Sequence, residues 1–280
     1  MFKFKKLSYG FLVVSLMLSI PSFAASHKKT MSDSAFIAKK DNKVIIEIGN
    51  CKKRHSPVST FKIALALMGF DSGILKNKDA PQWSFKEDYE KNFPSWYSRK
   101  KGLEYHWCQD HTPATFIKHS VLWFSHQITQ RLGTRAFQGY VMRLNYGNKD
   151  VTGAPGKNDG LFNSWLRTSL KISPLEQVEF LEKLVSKQLD VSDKAQEKTI
   201  EIMDRKEEWD GWKLYGKTGG GKGPQGWFIG WVEKDGQRIV FAQFLDRNDP
   251  QLDLTGITIH DSVGLTAKEV IKKHLVNWLQ

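Results

Sequence analysis

The chain has 280 residues, 40% of them hydrophobic and 26% charged, with 10 Trp and 17 Phe, which supplies a packed core and excludes a disordered or low-complexity protein. Two cysteines exclude a disulfide-dense scaffold and a four-thiolate zinc site. The 42 Lys+Arg against 30 Asp+Glu are spread along the chain without an RNP, zinc-finger or helix-turn-helix signature, so the excess reads as a solvated basic surface and no nucleic-acid partner is expected.

Residues 1–24 read as a secretory signal peptide. Lys3, Lys5 and Lys6 form a positive start, Phe11 to Ile20 an apolar stretch, and Pro21-Ser22-Phe23-Ala24 a small-residue cleavage site near Ala24. The apolar run is shorter than the roughly 20 residues that span a bilayer, and no Cys follows the cut to carry a lipid anchor. Cleavage removes three lysines and lowers the formal charge from +12 to +9. A periplasmic protein without stable membrane association is expected. In that oxidising compartment Cys51 and Cys108 either pair, closing a loop worth roughly 4 kcal/mol in the chain-entropy model, or remain two free thiols.

Ala35–Ala38 and Lys43–Ile48 predict two strands around an Asp-Asn turn. A helix from Ser59 to Gly69 is apolar on every face and therefore central. Residues 74–205 are mostly helical in pattern. Thr112-Pro113 opens one segment running through Leu132-Gly133, and Ser173-Pro174-Leu175-Glu176 is a capping box opening a helix to about Gln188. From Trp212 the period becomes that of strands: Trp212–Thr218, Trp227–Lys234 and Arg238–Leu245, the last two joined by Asp235-Gly236. Thr266–Leu279 closes the chain as an amphipathic helix with Val270, Ile271, Leu275 and Trp278 on one side. Residues 25–280 thus predict a single α+β domain. Its two terminal parts, about 25–58 and 206–280, share one antiparallel sheet flanked by terminal helices. An all-helical lobe, about 59–205, is inserted between them, with the active site between sheet and lobe.

Four short elements carry chemistry. In Ser59-Thr60-Phe61-Lys62 the i, i+3 spacing brings the lysine amine to the serine oxygen, and the surrounding apolar run desolvates the amine enough to make it a base. The same spacing recurs at Ser26/Lys29 and Ser98/Lys101, so alone it decides nothing. Lys217-Thr218-Gly219 ends a strand, where Lys217 and Thr218 suit a carboxylate and Gly219 leaves room for another molecule against the strand edge. Ser120-Val121-Leu122 and Tyr146-Gly147-Asn148 mean little separately, and Trp165 by default is a core aromatic.

Taken in order across a secreted domain, the four elements resemble the class D, oxacillinase-type, serine β-lactamases, a branch of the penicillin-recognising serine enzymes. The resemblance covers about residues 35–279 and includes the stretch from Trp165 to Pro174. It implies a hydrolase that opens the β-lactam ring of penicillin-type antibiotics, with Ser59 as nucleophile and the backbone N–H groups of Ser59 and Gly220 as oxyanion hole. It further implies Lys62 as general base in the N6-carboxylated form made by CO2, with no metal and no other cofactor. Trp165 would donate to the carbamate, and Val121 and Leu122 would keep the pocket dry. Ser120 would relay a proton to the lactam nitrogen with help from Lys217, Thr218 would bind the substrate carboxylate, and Tyr146 and Asn148 would border the site. Two departures stand out: Leu122 occupies a position where the family often has Val, and no Arg lies in 256–265, where many members grip the substrate carboxylate. Ser262 is the expected substitute, with Arg247 as the alternative. The rival readings are a penicillin-binding sensor or transpeptidase that is acylated without turning over, and a binding protein whose motifs coincide by chance.

Overall fold

The computed structural model describes residues 33–91, 106–221 and 223–280, and the expected signal peptide lies outside them. β1 (Ala35–Lys40) and β2 (Lys43–Ile48) form a hairpin whose turn residues Asp41 and Asn42 both have positive φ, as the twist of a two-residue hairpin requires. β3 (Asp204–Trp209), β4 (Trp212–Gly219), β5 (Gln225–Lys234) and β6 (Gln237–Asp246) complete a six-stranded antiparallel sheet in the order β2-β1-β6-β5-β4-β3. β1 pairs with β6, so both ends of the chain share the sheet. β3 corrects the expectation that the strand pattern begins only at Trp212. Its sequence Asp-Arg-Lys-Glu-Glu-Trp is charged, as suits an edge strand, and a register shift after Asp204 hides any alternation.

Alternation along the inner strands divides the core. On one face Phe36, Phe228 and Phe241 bury against the last helix, and on the other Ile37, Trp227, Ile229 and Phe244 bury against the helical lobe. Within the lobe, a 3-10 turn (Val58–Phe61) leads into α1 (Lys62–Asp71), buried throughout from Lys62 to Phe70 as its all-round apolarity predicts. The single segment expected from Thr112 to Gly133 is two helices, α2 (Pro113–His119) and α3 (Leu122–Arg143), and α3 itself is kinked at Gly133. The break falls at Ser120, held in the left-handed conformation at φ 58 and followed by extended Val121, so the chain leaves the helix there without Gly or Pro. α4 (Pro174–Val185) begins on the predicted capping box, in which Ser173 and Glu176 satisfy each other's backbone N–H groups. α5 (Asp193–Ile202) leads to β3.

α6 (Val263–Leu275) begins three residues earlier than expected and gives way to a 3-10 turn over Val276–Trp278. That change of period turns Trp278 out to 42% exposure, correcting its placement on the apolar side with Val270, Ile271 and Leu275. Leu279 is buried instead, and its carbonyl accepts a hydrogen bond from the Trp212 indole at 2.9 Å. Cys51 and Cys108 are not joined by a disulfide. Cys51 lies beneath the first hairpin with its sulfur directed at the Phe36 and Ile48 carbonyls, and burial pushes the thiol up to about 11.

Candidate active site

The turn that carries Ser59 is strained and held from several sides. Val58, β-branched, sits at φ 43, a conformation that costs a residue of this kind free energy unless its surroundings over-determine it. They do. The Val58 N–H donates to the Trp165 carbonyl at 3.0 Å, and the Ser56 hydroxyl donates to the same carbonyl at 2.9 Å. The Trp227 indole donates to the Ser56 carbonyl at 2.9 Å. Behind the turn the Thr60 hydroxyl donates to the Pro57 carbonyl at 2.7 Å and accepts from Gln177 Nε2 at 2.9 Å, while the Tyr146 hydroxyl lies 3.5 Å from Gln177 Oε1.

Held this way, Ser59 Oγ lies 3.2 Å from Lys62 Nζ, the i, i+3 approach that a tight turn favours. Lys62 is 1% exposed, and burial alone lowers its amine from 10.5 to about 7. Phe61, Val121, Leu122 and Trp165 are fully buried in the same core cluster. The Trp165 indole N–H is buried with no acceptor among the described residues, an uncommon state for a donor of that strength. His126, on α3, donates from Nε2 to the Phe162 carbonyl at 3.1 Å. Burial first, and the Lys62 charge second, lower it to about 3, so it stands beside the amine as a neutral ring.

A second serine–lysine pair faces this one. Lys217 Nζ donates to Ser120 Oγ at 3.0 Å and to the Thr218 carbonyl at 2.9 Å. It is held well below the usual lysine range by burial, with the positive charges of Lys62 and Arg205 adding to the effect. The left-handed Ser120 is what turns its hydroxyl out of the helical lobe toward β4 across 97 residues of sequence.

β4 is not the outermost strand, yet its pairing with β3 reaches only to Tyr215, so Lys217–Gly219 has no strand partner on that side among the described residues. The expectation that Gly219 makes room for another molecule is corrected: a Cβ there would lie 2.9 Å from Thr60 Cγ2 and 3.0 Å from the Pro57 carbonyl, so the glycine lets β4 lie against the nucleophile turn itself. Gly220, at φ 83, turns the chain away beside Gln225 and Gly226. Thr218 is half-buried at the edge.

Ser262 is half-buried at the residue preceding α6, its side chain making no capping bond, and the next N–H, of Val263, donates to the Gly221 carbonyl at 3.3 Å. That places it beside the glycine-rich end of β4. The Arg247 guanidinium is committed elsewhere, donating to the His260 carbonyl and to Thr266 Oγ1 at 3.1 Å, where it braces the start of α6. Tyr146 and Asn148 stand behind the site rather than along its rim. Tyr146 is 1% exposed, with its ring 5.1 Å from that of Phe61, and burial raises its hydroxyl pKa far above the usual range. Asn148 spans the neighbouring loop, donating to the Ser169 carbonyl at 2.8 Å and accepting from the Lys171 N–H at 2.9 Å.

Gln177 and Ser56 are functional supports that sequence reasoning missed. Gln177 had a visible signal: it is a polar residue on the apolar stripe of α4, in line with Val178, Leu181 and Leu184. Among the described residues no cluster of His, Cys, Asp and Glu fits a metal ion, and no helix is long and apolar enough to cross a membrane.

Residues 14–270 match the family model of the penicillin binding protein transpeptidase domain. The chain is 39% identical over 254 residues to beta-lactamase OXA-9 of Klebsiella pneumoniae, covering 87% of this chain and 89% of that one. It is 39% identical over 204 residues to beta-lactamase OXA-1 of Escherichia coli, covering 71% and 69%. The crystal structure of OXA-427 class D β-lactamase superposes with a TM-score of 0.74 at 35% identity, over 88% of this chain and 98% of that one. The fold is therefore that of a penicillin-recognising serine enzyme. Within that class the chain belongs to the class D β-lactamases, which are hydrolases.

Proposed function

We infer that this enzyme opens the lactam ring of penicillin-type antibiotics through an ester on Ser59 and so confers resistance. The observation that carries this reading is the pair of serine–lysine contacts, Ser59–Lys62 at 3.2 Å and Ser120–Lys217 at 3.0 Å, set at an open strand edge. Ser59 Oγ attacks the lactam carbonyl carbon as its proton passes to the base at Lys62. The oxyanion that forms is stabilised by the backbone N–H groups of Ser59 and Gly220. The carbon–nitrogen bond breaks as Ser120 gives its proton to the lactam nitrogen and recovers, through Lys217, the proton taken up at Lys62, which is thereby a base again. Water, deprotonated at the Lys62 side, then attacks the ester, releasing the ring-opened acid and restoring Ser59. Thr218 and Ser262 hold the substrate carboxylate, and Gly219 keeps β4 against the nucleophile turn. Tyr146 and Asn148 support that turn and its neighbouring loop.

The working form of Lys62 in this reading is the N6-carboxylated one. A neutral buried amine adds CO2, and the anion so formed supplies a general base. The unsatisfied indole N–H of Trp165 fits such a group, and Val121 and Leu122 line the dry surroundings it needs. Residues 25–280 constitute the mature domain, acting in the periplasm after cleavage near Ala24.

Steady-state turnover of a chromogenic cephalosporin tests the hydrolase reading. Multiple turnovers are expected, and a stoichiometric burst without turnover would replace it with an acylated sensor. Carbamate is read separately, as a 13C signal after equilibration with labelled bicarbonate. Its absence from active enzyme removes the carboxylation step.

A further inference from the structure

Arg167 is fixed beside the segment that carries Ser59. Its backbone N–H donates to Ser56 Oγ at 2.8 Å, and that same hydroxyl donates to the Trp165 carbonyl that also anchors Val58. One serine thus ties Arg167 to the segment that presents Ser59. Arg167 is held at φ 66, a left-handed conformation in a residue with a long side chain. Its side chain is exposed, makes no ion pair among the described residues, and reaches the loop between β4 and β5: Nη2 lies 3.0 Å from where a Cβ on Gly223 would sit. Any side chain at 223 would displace the guanidinium.

The chemistry of a penicillin fixes what meets that charge. Its carboxylate is on the ring carbon bonded to the lactam nitrogen, and its acylamino side chain is on the carbon next to the lactam carbonyl. With the carbonyl at Ser59 and Gly220 and the carboxylate at Lys217, Thr218 and Ser262, the acylamino group extends the other way, and on this reading it meets Arg167, which Ser56 ties to the Ser59 turn. We propose that Arg167 is a specificity-determining residue which selects β-lactams whose acylamino side chain carries an anionic group. This rests on the hydrolase reading above. A guanidinium without an acidic partner offers a forked pair of donors to a carboxylate, and its partial exposure limits the gain to about one order of magnitude.

The test compares benzylpenicillin with its α-carboxybenzyl analogue, which differs only by the added carboxylate. The quantity read is the ratio of kcat/KM for the carboxylated over the plain substrate. That ratio is expected to fall about tenfold in Arg167→Ala and further in Arg167→Glu, and to be largely kept in Arg167→Lys. In wild type it should fall as salt rises. A ratio identical across wild type, Ala and Glu variants overturns the inference. If wild type turns over neither substrate, it is the hydrolase reading itself that fails, and the specificity role falls with it.

Discussion

A lysine buried to 1% exposure beside a serine is a cost to the fold, and the cost has a defined pH dependence. The unfolded chain protonates Lys62 near 10.5, whereas in the folded protein burial lowers that value to about 7. Between those two values the unfolded state holds a proton that the folded state does not, so stability rises with pH, by about 1.4 kcal/mol per unit at most. At pH 7 the accumulated penalty is about 4 kcal/mol. Lys62→Met keeps the length of the side chain and removes the charge. In CO2-depleted buffer at pH 7 the variant should therefore be more stable by up to that amount, raising the melting temperature by about 10 °C for a domain of this size. The advantage should shrink steadily toward pH 10. Lys217 contributes a slope of the same sign to both proteins, and because the Lys62 charge adds to its lowering, the difference between the two curves reads Lys62 together with that coupling. Thermal melts at pH 6 to 10 read the effect. Parallel curves, or a variant less stable than wild type at pH 7, would refute the reasoning that desolvation sets the state of this amine.

Turnover itself should decline as pH falls below about 7, because the Lys62 amine gains a proton there and can no longer add the CO2 that makes it the base in the proposed reading. A kcat profile of a chromogenic cephalosporin that stays flat from pH 5 to 9 would contradict this. Gln177→Leu removes the partner of Thr60 and Tyr146 behind the nucleophile turn, and should cost about 1–3 kcal/mol in urea unfolding while lowering kcat more than it raises KM. An unchanged kcat would show that the turn holds its shape without this network. Gly219→Ala places a methyl 2.9 Å from Thr60 Cγ2 and should lower kcat/KM about tenfold or more with an unaltered far-UV circular dichroism spectrum. Wild-type kinetics in that variant would mean β4 and the turn part easily.

What the sequence made legible was local. Ser59 and Lys62 are three residues apart, and the apolar run that buries the lysine is continuous with them, so nucleophile, base and desolvation are readable together. The hairpins at Asp41-Asn42 and Asp235-Gly236, and the Ser173–Glu176 capping box, are legible for the same reason: turn chemistry acts within four residues. The approach of Ser120 to Lys217 spans 97 residues, and only likeness to a family placed them in one site. The break at Ser120 had no Gly or Pro to announce it. The left-handed serine is stabilised by tertiary contacts that a local pattern does not contain, which is why two helices read as one. β3 was hidden by its charge and its irregular register, and the outward turn of Trp278 by a change from α to 3-10 winding in the last residues. Arg247 looked free in sequence, but its guanidinium is spoken for by the start of α6.

Gly264 at the start of α6 and Gly219 on β4 have a joint consequence. A Cβ on Gly264 would sit 2.8 Å from the Gly219 carbonyl, and one on Gly219 would sit 3.0 Å from the Pro57 carbonyl, so helix, strand and the turn that carries Ser59 approach one another at backbone atoms. Such a sandwich has no rotamers with which to absorb a shift, and a tilt of the terminal helix is conveyed undamped to the attacking oxygen. On the readings proposed above, a change in which antibiotics are accepted then falls to side chains that can still vary, Arg167 among them.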